Sequence, residues 1–202
     1  MKTATWVDEQ LRSRGIDDER VLDAMGRVPR ELFVPADLRD HAYDDAALPL
    51  AHGQSVSQPF IVAYICRGLA LSGGERVLDV GTGSGYQAAV LGELAAEVHS
   101  VEVIPDLVES ARAALELAGA GNVEVHQGDG ALGLPELAPF SGIAVAAAAR
   151  EVPPALAGQL EEGGRLALPL GGRHRQELCV FERDGGRLRL LSSLPVRFVP
   201  LV

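Results

Sequence analysis

The stretch VLDVGTGSGYQAAVLGEL, residues 77–94, constrains this chain more than any other. An apolar run ends in Asp79, and Gly81, Gly83 and Gly85 follow in a tight turn that opens a helical pattern. Glycines in such a turn let a ligand approach the backbone, because no Cβ intervenes. The spacing is GxGxG rather than the GxGxxG of dinucleotide binders, and a glycine loop by itself fits many strand-to-helix turns. Two acids sharpen the reading. Glu102 closes the next apolar run, 21 residues past Gly81, where a carboxylate can accept hydrogen bonds from both hydroxyls of a ribose. Asp129, in the GDG of residues 128–130, follows a third run and is expected to face an adenine amino group. All three acids fall at the carboxyl edge of an open parallel sheet, where such sheets bind ligands.

The flanking pattern supplies that sheet. RVLDV, EVHSVEV, NVEVHQ, SGIAVAAA, GRLALPL, QELCVFER and GRLRLLSSLPVRFV read as strands. SGYQAAVLGELA, PDLVESARAALELA and VPPALAGQL read as helices, and a further helix runs through IVAYICRGLAL from Pro59 to the stop at Gly73 and Gly74. Alternation of this kind implies stacked strand–helix–strand units. The last two strands are joined by a Gly-Gly turn, which predicts an antiparallel edge. Upstream, Asp17 and Asp18 precede VLDAMGRV, which Pro29 ends, so the N-terminal region reads as helical capping. The expected fold is α/β: Rossmann-like and doubly wound, with a mostly parallel seven-stranded sheet, an antiparallel edge strand and an N-terminal helical cap. It forms a single domain over 1–202, with a cap over 1–57 and a core over 58–202.

Composition excludes several classes. A chain of 202 residues that is 47% hydrophobic and 23% charged buries one substantial core. No stretch reaches the roughly 18 apolar residues of a membrane span, and MKTATWVDEQ lacks the apolar centre of a signal peptide, so a cytoplasmic protein is expected. Cys66 and Cys179 lack metal-ligand spacing and read as reduced packing residues. The histidines at 41, 52, 99, 126 and 174 form no HxxxH or His/Cys cluster, and no metal is expected. The net charge of −10 is uneven: residues 1–149 hold 10 basic and 22 acidic side chains, residues 150–202 hold 8 and 6. An acidic body without a Lys/Arg stripe argues against nucleic acid as a partner.

The glycine loop, SVE at 100–102 and GDG at 128–130 together resemble a class I S-adenosylmethionine-dependent methyltransferase. RVPRELFVP, AYDDAALPL, GQSVSQPFIVAY, VLDVGTGSGYQAAVL, GDG and PVRFVPL resemble, in order and spacing, the protein-L-isoaspartate O-methyltransferase family, from about residue 20 onward. The resemblance implies S-adenosyl-L-methionine as cofactor, held by Ser55, Val56, Asp79, Gly81, Thr82, Gly83, Gly85, Glu102, Asp129 and Gly130. It implies isoaspartyl-containing proteins or peptides as substrates, a catalytic and substrate-orienting role for Ser57, and a peptide aligned by backbone groups around Val199. A monomer is expected.

The resemblance also gives a use to GQSVSQP, residues 53–59, a polar heptad with neither helical nor strand period. Ser57 lies two residues before Pro59, so it is also a candidate helix N-cap, and the two roles can coexist. The implied chemistry needs little machinery. A free aspartyl-type carboxylate, with a pKa of about 3.9, is already a nucleophile near neutrality, so no general base is required. The resulting ester would close to a succinimide, whose hydrolysis returns some normal aspartate. Two departures stand out: PFSG at 139–142 and VAAA at 145–148 put Ser141 and Ala146 where the family commonly has an acid and a hydroxyl. Their loss near the site is expected to reshape which peptide fits. Two other readings follow: a specialised homologue methylating a normal aspartate of a dedicated peptide, and a non-catalytic S-adenosylmethionine-binding module. Arg197 is either a substrate contact or an exposed strand arginine.

Overall fold

The computed structural model describes residues 3–172 and 174–201. Helices α1 (Thr3–Gln10) and α2 (Glu19–Arg27) lead through short 3-10 turns to a small hairpin, β1 (Leu48–Pro49) and β2 (Ser55–Val56). Then come α3 (Pro59–Leu69), β3 (Arg76–Val80), α4 (Tyr86–Gly92), β4 (Glu97–Glu102), α5 (Pro105–Ala118), β5 (Val123–Gln127) and β6 (Phe140–Val145). α6 (Pro154–Gln159), β7 (Leu160–Gly171), β8 (Gln176–Asp184) and β9 (Arg187–Val196) complete the chain.

Seven strands form one sheet in the order β5-β4-β3-β6-β7-β8-β9. β3 to β7 run parallel, and β7/β8 and β8/β9 pair antiparallel. The reversed strand is therefore β8, one position in from the edge, and the edge itself is β9, which turns back to the common direction. The chain steps outward from β3 to β4 and β5, then returns to β6 on the other side of β3. Loops leaving β3 and β6 diverge, and the crevice between them is where an open α/β sheet accepts a ligand.

Local chemistry sets the helices. The Asp18 carboxylate caps α2 by accepting from Arg20 N (3.0 Å) and Val21 N (3.3 Å). Pro59 and Pro105 occupy first-turn positions of α3 and α5, where a missing N–H costs nothing. α5 ends at Gly119, whose φ of +74° a side chain would resist. Helices α1 to α5 pack on one face of the sheet, where Val77, Ala144, Ala167, Leu178 and Val180 join their buried residues in one cluster. Leu78, Val80, Val101, Ile143, Val145, Leu166 and Leu168 face the other way. That second face is covered mainly by Leu134, Leu137 and Ala138 of the segment before β6 and by Leu156 of α6, so the two windings are unequal. Cys66 and Cys179 are free and buried.

The β1–β2 hairpin departs from the sequence reading, in which GQSVSQP has no strand character. Leu48 pairs with Val56 and Pro49 with Ser55. Two-residue strands are too short to show a period of two, so only the partner reveals them.

Leu156 is fully buried between α6 and the sheet, whereas Leu117 on α5 is 74% exposed. Leu156→Ala should destabilise the protein by about 2–5 kcal/mol and Leu117→Ala by less than about 0.5 kcal/mol, measured by urea unfolding.

Candidate active site

At the carboxyl edge of the sheet lies a cavity of about 320 Å³. Its floor is the loop after β3 (81–84), the start of the turn after β4 (102–104), Gly130 after β5, and Ala146 and Ala147 after β6. The hairpin exit at 54–58 and the C-terminal segment 195–201 form the walls.

The glycine loop is held from beneath. Asp79 is fully buried and accepts from Gln87 Nε2 (2.7 Å) and Ser100 Oγ (2.6 Å), while the Ser100 and Thr82 hydroxyls lie 2.6 Å apart. The amides of Gly81 and Thr82 donate to Val101 O at 2.9 and 3.2 Å. Burial pushes the Asp79 carboxyl up to about 6, against the pull of its two donors. Gly81 (φ +87°) and Gly83 (φ +53°) take left-handed conformations that side chains resist. Glu102 is 7% exposed and lines the cavity. Its Oε2 accepts from Gly83 N (2.9 Å) and its Oε1 from Val103 N and Ile104 N (3.0 Å each), so this carboxylate ties the glycine loop to the entry of α5 and keeps acceptor capacity for a ligand.

Ser57 lines the same cavity. Helix α3 begins at Pro59 with Gln58 as N-cap and no side-chain cap bond, so Ser57 does not cap it. Its hydroxyl has no partner among the described residues, and its carbonyl accepts from Arg30 Nη2 at 2.9 Å. Arg30 is itself fully buried, donates also to Ala42 O, and stands 5.3 Å over the Tyr86 ring. Burial lowers the guanidinium's pKa, and no carboxylate pairs with it among the described residues. Gln58 Nε2 donates to Asp45 O (3.0 Å) and Oδ1 (2.8 Å), which fixes the loop from the other side.

The C-terminal segment is equally constrained. Gln176 on β8 accepts from Phe198 N (2.6 Å) and donates to Phe198 O (3.3 Å), satisfying both backbone groups of that residue with one amide. Ala148 N donates to Val199 O (2.7 Å) and Leu201 N to Ala148 O (2.9 Å), so the tail lies beside the end of β6 like an added strand. The Val199 N–H has no partner among the described residues.

A family profile for protein-L-isoaspartate(D-aspartate) O-methyltransferase (PCMT) matches residues 2–202. The chain belongs to this family. Curated relatives named protein-L-isoaspartate O-methyltransferase include those of Opitutus terrae (51% identical, covering 96% of this chain and 84% of the relative) and Anaeromyxobacter dehalogenans strain 2CP-1 (54%, covering 95% and 93%). One solved protein-L-isoaspartate O-methyltransferase superposes with a TM-score of 0.84 at 31% identity, covering 96% of this chain and 64% of that one. The Plasmodium falciparum beta-aspartate methyltransferase (PCMT), in complex with S-adenosyl-L-homocysteine, has the same TM-score at 26% identity and covers 98% and 97%. The chain is thus an S-adenosylmethionine-dependent carboxyl methyltransferase, and neither the dedicated-aspartate reading nor the non-catalytic one finds support in these relatives.

As a methyltransferase pocket the cavity collects Ser55, Val56, Ser57, Gly81, Thr82, Gly83, Glu102, Gly130 and Val199, but not Asp79, Gly85 or Asp129. Asp79 lies beneath the loop and positions it. A Cβ on Gly85 would come within 3.3 Å of Leu115 Cγ, so this glycine serves the packing of α4 on α5. Asp129 is exposed and accepts from Ala131 N at 2.8 Å, a local turn bond. A Cβ on Gly130 would fall 2.5 Å from Val80 Cγ1, so the backbone passes close under the pocket. Ala146 lines the pocket, whereas Ser141 sits at the opposite end of β6, so only one of the two departures touches the site. Arg197 is exposed at the pocket wall. The glycine wall, the inward Glu102 carboxylate and the apolar surface of Val80, Val101 and Ile104 fit a nucleoside-bearing donor. Arg30, Ser100, Gln87 and Gln176 escape sequence reasoning. Gln87 alone leaves a trace, as a polar residue inside an otherwise apolar helix.

Asp79 makes the pocket's foundation titratable. The unfolded carboxyl, near 3.9, releases its proton before the folded one at about 6, so this group's contribution to stability falls as pH rises through that window and is flat above it. Asp79→Asn lacks the titration. Its stability relative to the parent should rise by on the order of 3 kcal/mol between pH 4 and pH 7 in urea unfolding; a constant difference would refute the buried charge.

Proposed function

We propose that the cavity holds S-adenosyl-L-methionine between the glycine loop and Glu102, and that Ser57 with the backbone near Val199 holds the free carboxylate of an L-isoaspartyl residue for methylation. The observation that carries this is the Ser57 hydroxyl, free of any intramolecular bond among the described residues, on the same cavity as Glu102. The bound donor supplies an electrophilic methyl group on a cationic sulfur. The protein's own residues do the rest. Ser57 Oγ donates to the acceptor carboxylate, which is ionised at neutral pH and needs no base. The free Val199 N–H provides a second donor for the peptide. Arg30 holds the Ser57 carbonyl and thereby the backbone that carries the side chain. Ala146 and Ala147 leave room, and the apolar walls limit water, so positioning carries most of the rate enhancement.

We further propose that the chain works as a cytoplasmic monomer. No helix among the described residues is long and apolar enough to cross a membrane. The acidic balance of residues 1–149 supports protein rather than nucleic acid as partner.

Two variants separate the roles. Glu102→Ala should weaken donor binding by about 1–3 kcal/mol in calorimetric titration. Ser57→Ala should leave donor affinity within about twofold while lowering methyl transfer by about tenfold to a hundredfold. Equal losses of turnover and donor affinity in Ser57→Ala would refute the substrate role.

Substrate choice is a second test. The isoaspartyl linkage places its free carboxylate on the α-carbon, one methylene nearer the main chain than a normal aspartyl side chain. A site that fixes the flanking peptide aligns one and displaces the other by about an ångström, which can cost about a hundredfold. With labelled S-adenosylmethionine, isoaspartyl peptides should be methylated at least about ten times faster than matched aspartyl peptides. Comparable rates would overturn the assignment.

A further inference from the structure

On the thinly covered face of the sheet, β4 and β5 pair so that His99 lies opposite Glu124 and Val101 opposite His126. None of His99, Glu124 and His126 lines the donor cavity. His99 Nδ1 lies 3.1 Å from His126 Nε2, and Glu124 Oε2 lies 3.7 and 3.9 Å from those two nitrogens. Ligand atoms about 2.0–2.2 Å from a tetrahedral zinc ion stand about 3.3–3.6 Å from one another. The observed separations bracket that range, and the exposed Glu124 side chain needs to move by only a few tenths of an ångström.

The protons point the same way. The His99 side chain is 4% exposed, and its Nε2 lies 3.0 Å from Glu97 Oε1, off the line of a hydrogen bond. Glu97 is anchored in turn by Arg76 Nε at 2.6 Å. Neutral His99 with its proton on Nδ1 would set an Nε2 lone pair against the Glu97 carboxylate. The other tautomer directs N–H toward Glu97 and leaves Nδ1 bare, facing His126 and Glu124. A carboxylate beside the far nitrogen of a ligating histidine is the usual outer neighbour in a metal site.

We propose that His99 Nδ1, His126 Nε2 and a Glu124 carboxylate oxygen bind a borderline first-row divalent cation of the zinc class, with solvent at the fourth position. Two imidazoles and one carboxylate suit such an ion better than magnesium or calcium, which take all-oxygen sets. The ion staples the edge strand β5 to β4. Gly128 N, just past β5, donates to Glu102 O at 3.0 Å, so the staple steadies the strand end that carries a pocket carboxylate.

The test is calorimetric and thermal titration of the whole protein with Zn²⁺ near neutral pH, with Mg²⁺ as the hard-ion comparison. One Zn²⁺ should bind per chain, and zinc at about a hundredfold above Kd should raise Tm by about 5–10 °C, with no response to Mg²⁺. His126→Asn and Glu124→Gln alter partly or fully exposed side chains, so they preserve the fold where a change at buried His99 would endanger it. Each should weaken zinc binding by at least about tenfold, while His41→Asn, at an unrelated surface histidine, leaves it unchanged. Nitrogen-15 spectra of the rings should show zinc on His99 Nδ1 and His126 Nε2. No zinc binding, binding retained in His126→Asn, or a metal shift on other ring nitrogens would each overturn the site.

Discussion

The buried carboxylate of Asp79 is the constraint on which the carboxyl edge of this protein depends. It sits fully buried where β3 ends, so it must be met by donors from its neighbours. Gln87 reaches it from α4 and Ser100 from β4, and Ser100 hands the network on to Thr82 in the glycine loop. Strand, loop, helix and neighbouring strand are thereby locked together. The loop then has little freedom left, and its left-handed glycines present backbone to the cavity in one arrangement. Raising the acid's pKa is the cost of this anchorage, and the hydrogen bonds offset part of it.

A second carboxylate faces the cavity from that rigid edge. Glu102 spends three hydrogen bonds on Gly83, Val103 and Ile104 and still faces the cavity. The walls are made in a similar economy. Arg30, buried without a carboxylate partner among the described residues, donates from its two terminal nitrogens to the carbonyls of Ala42 and Ser57, and Gln176 closes both backbone groups of Phe198. Both segments are thus tied to distant parts of the chain by long-range side chains as well as by backbone bonds. The proposed division of labour follows: the sheet edge holds the donor, and the two pinned segments hold the peptide.

Much of this was legible in the chain itself. Short-range chemistry writes itself into local pattern: the apolar strand before Asp79, the alternate glycines, the prolines that open α3 and α5, the Gly-Gly turn between β8 and β9. Positions that need a particular backbone conformation or burial face admit few residue types, so Gly81, Gly83 and Glu102 stand out in the sequence itself. The pattern is ambiguous where one residue type serves two purposes. Gly85 also packs close to α5, Asp129 also closes its own turn, and Ser57 reads equally as a helix cap, a position that Gln58 occupies.

What the sequence by itself determined was the order and type of the elements from α3 onward, the sheet edge at which the glycine loop lies and the family to which the chain belongs, because these rest on periodicity and on residues whose roles are local. What only the tertiary structure decided were the contacts between segments distant along the chain: Arg30 to Ser57, Gln176 to Phe198, the hairpin that presents Ser57, the place of β8 inside the edge. The histidines show the reason most plainly. Counted along the chain, His99 and His126 are 27 positions apart and form no ligand motif; strand pairing brings Nδ1 of one to within 3.1 Å of Nε2 of the other. Register between strands is fixed by burial summed over the whole sheet, and no local spacing records it.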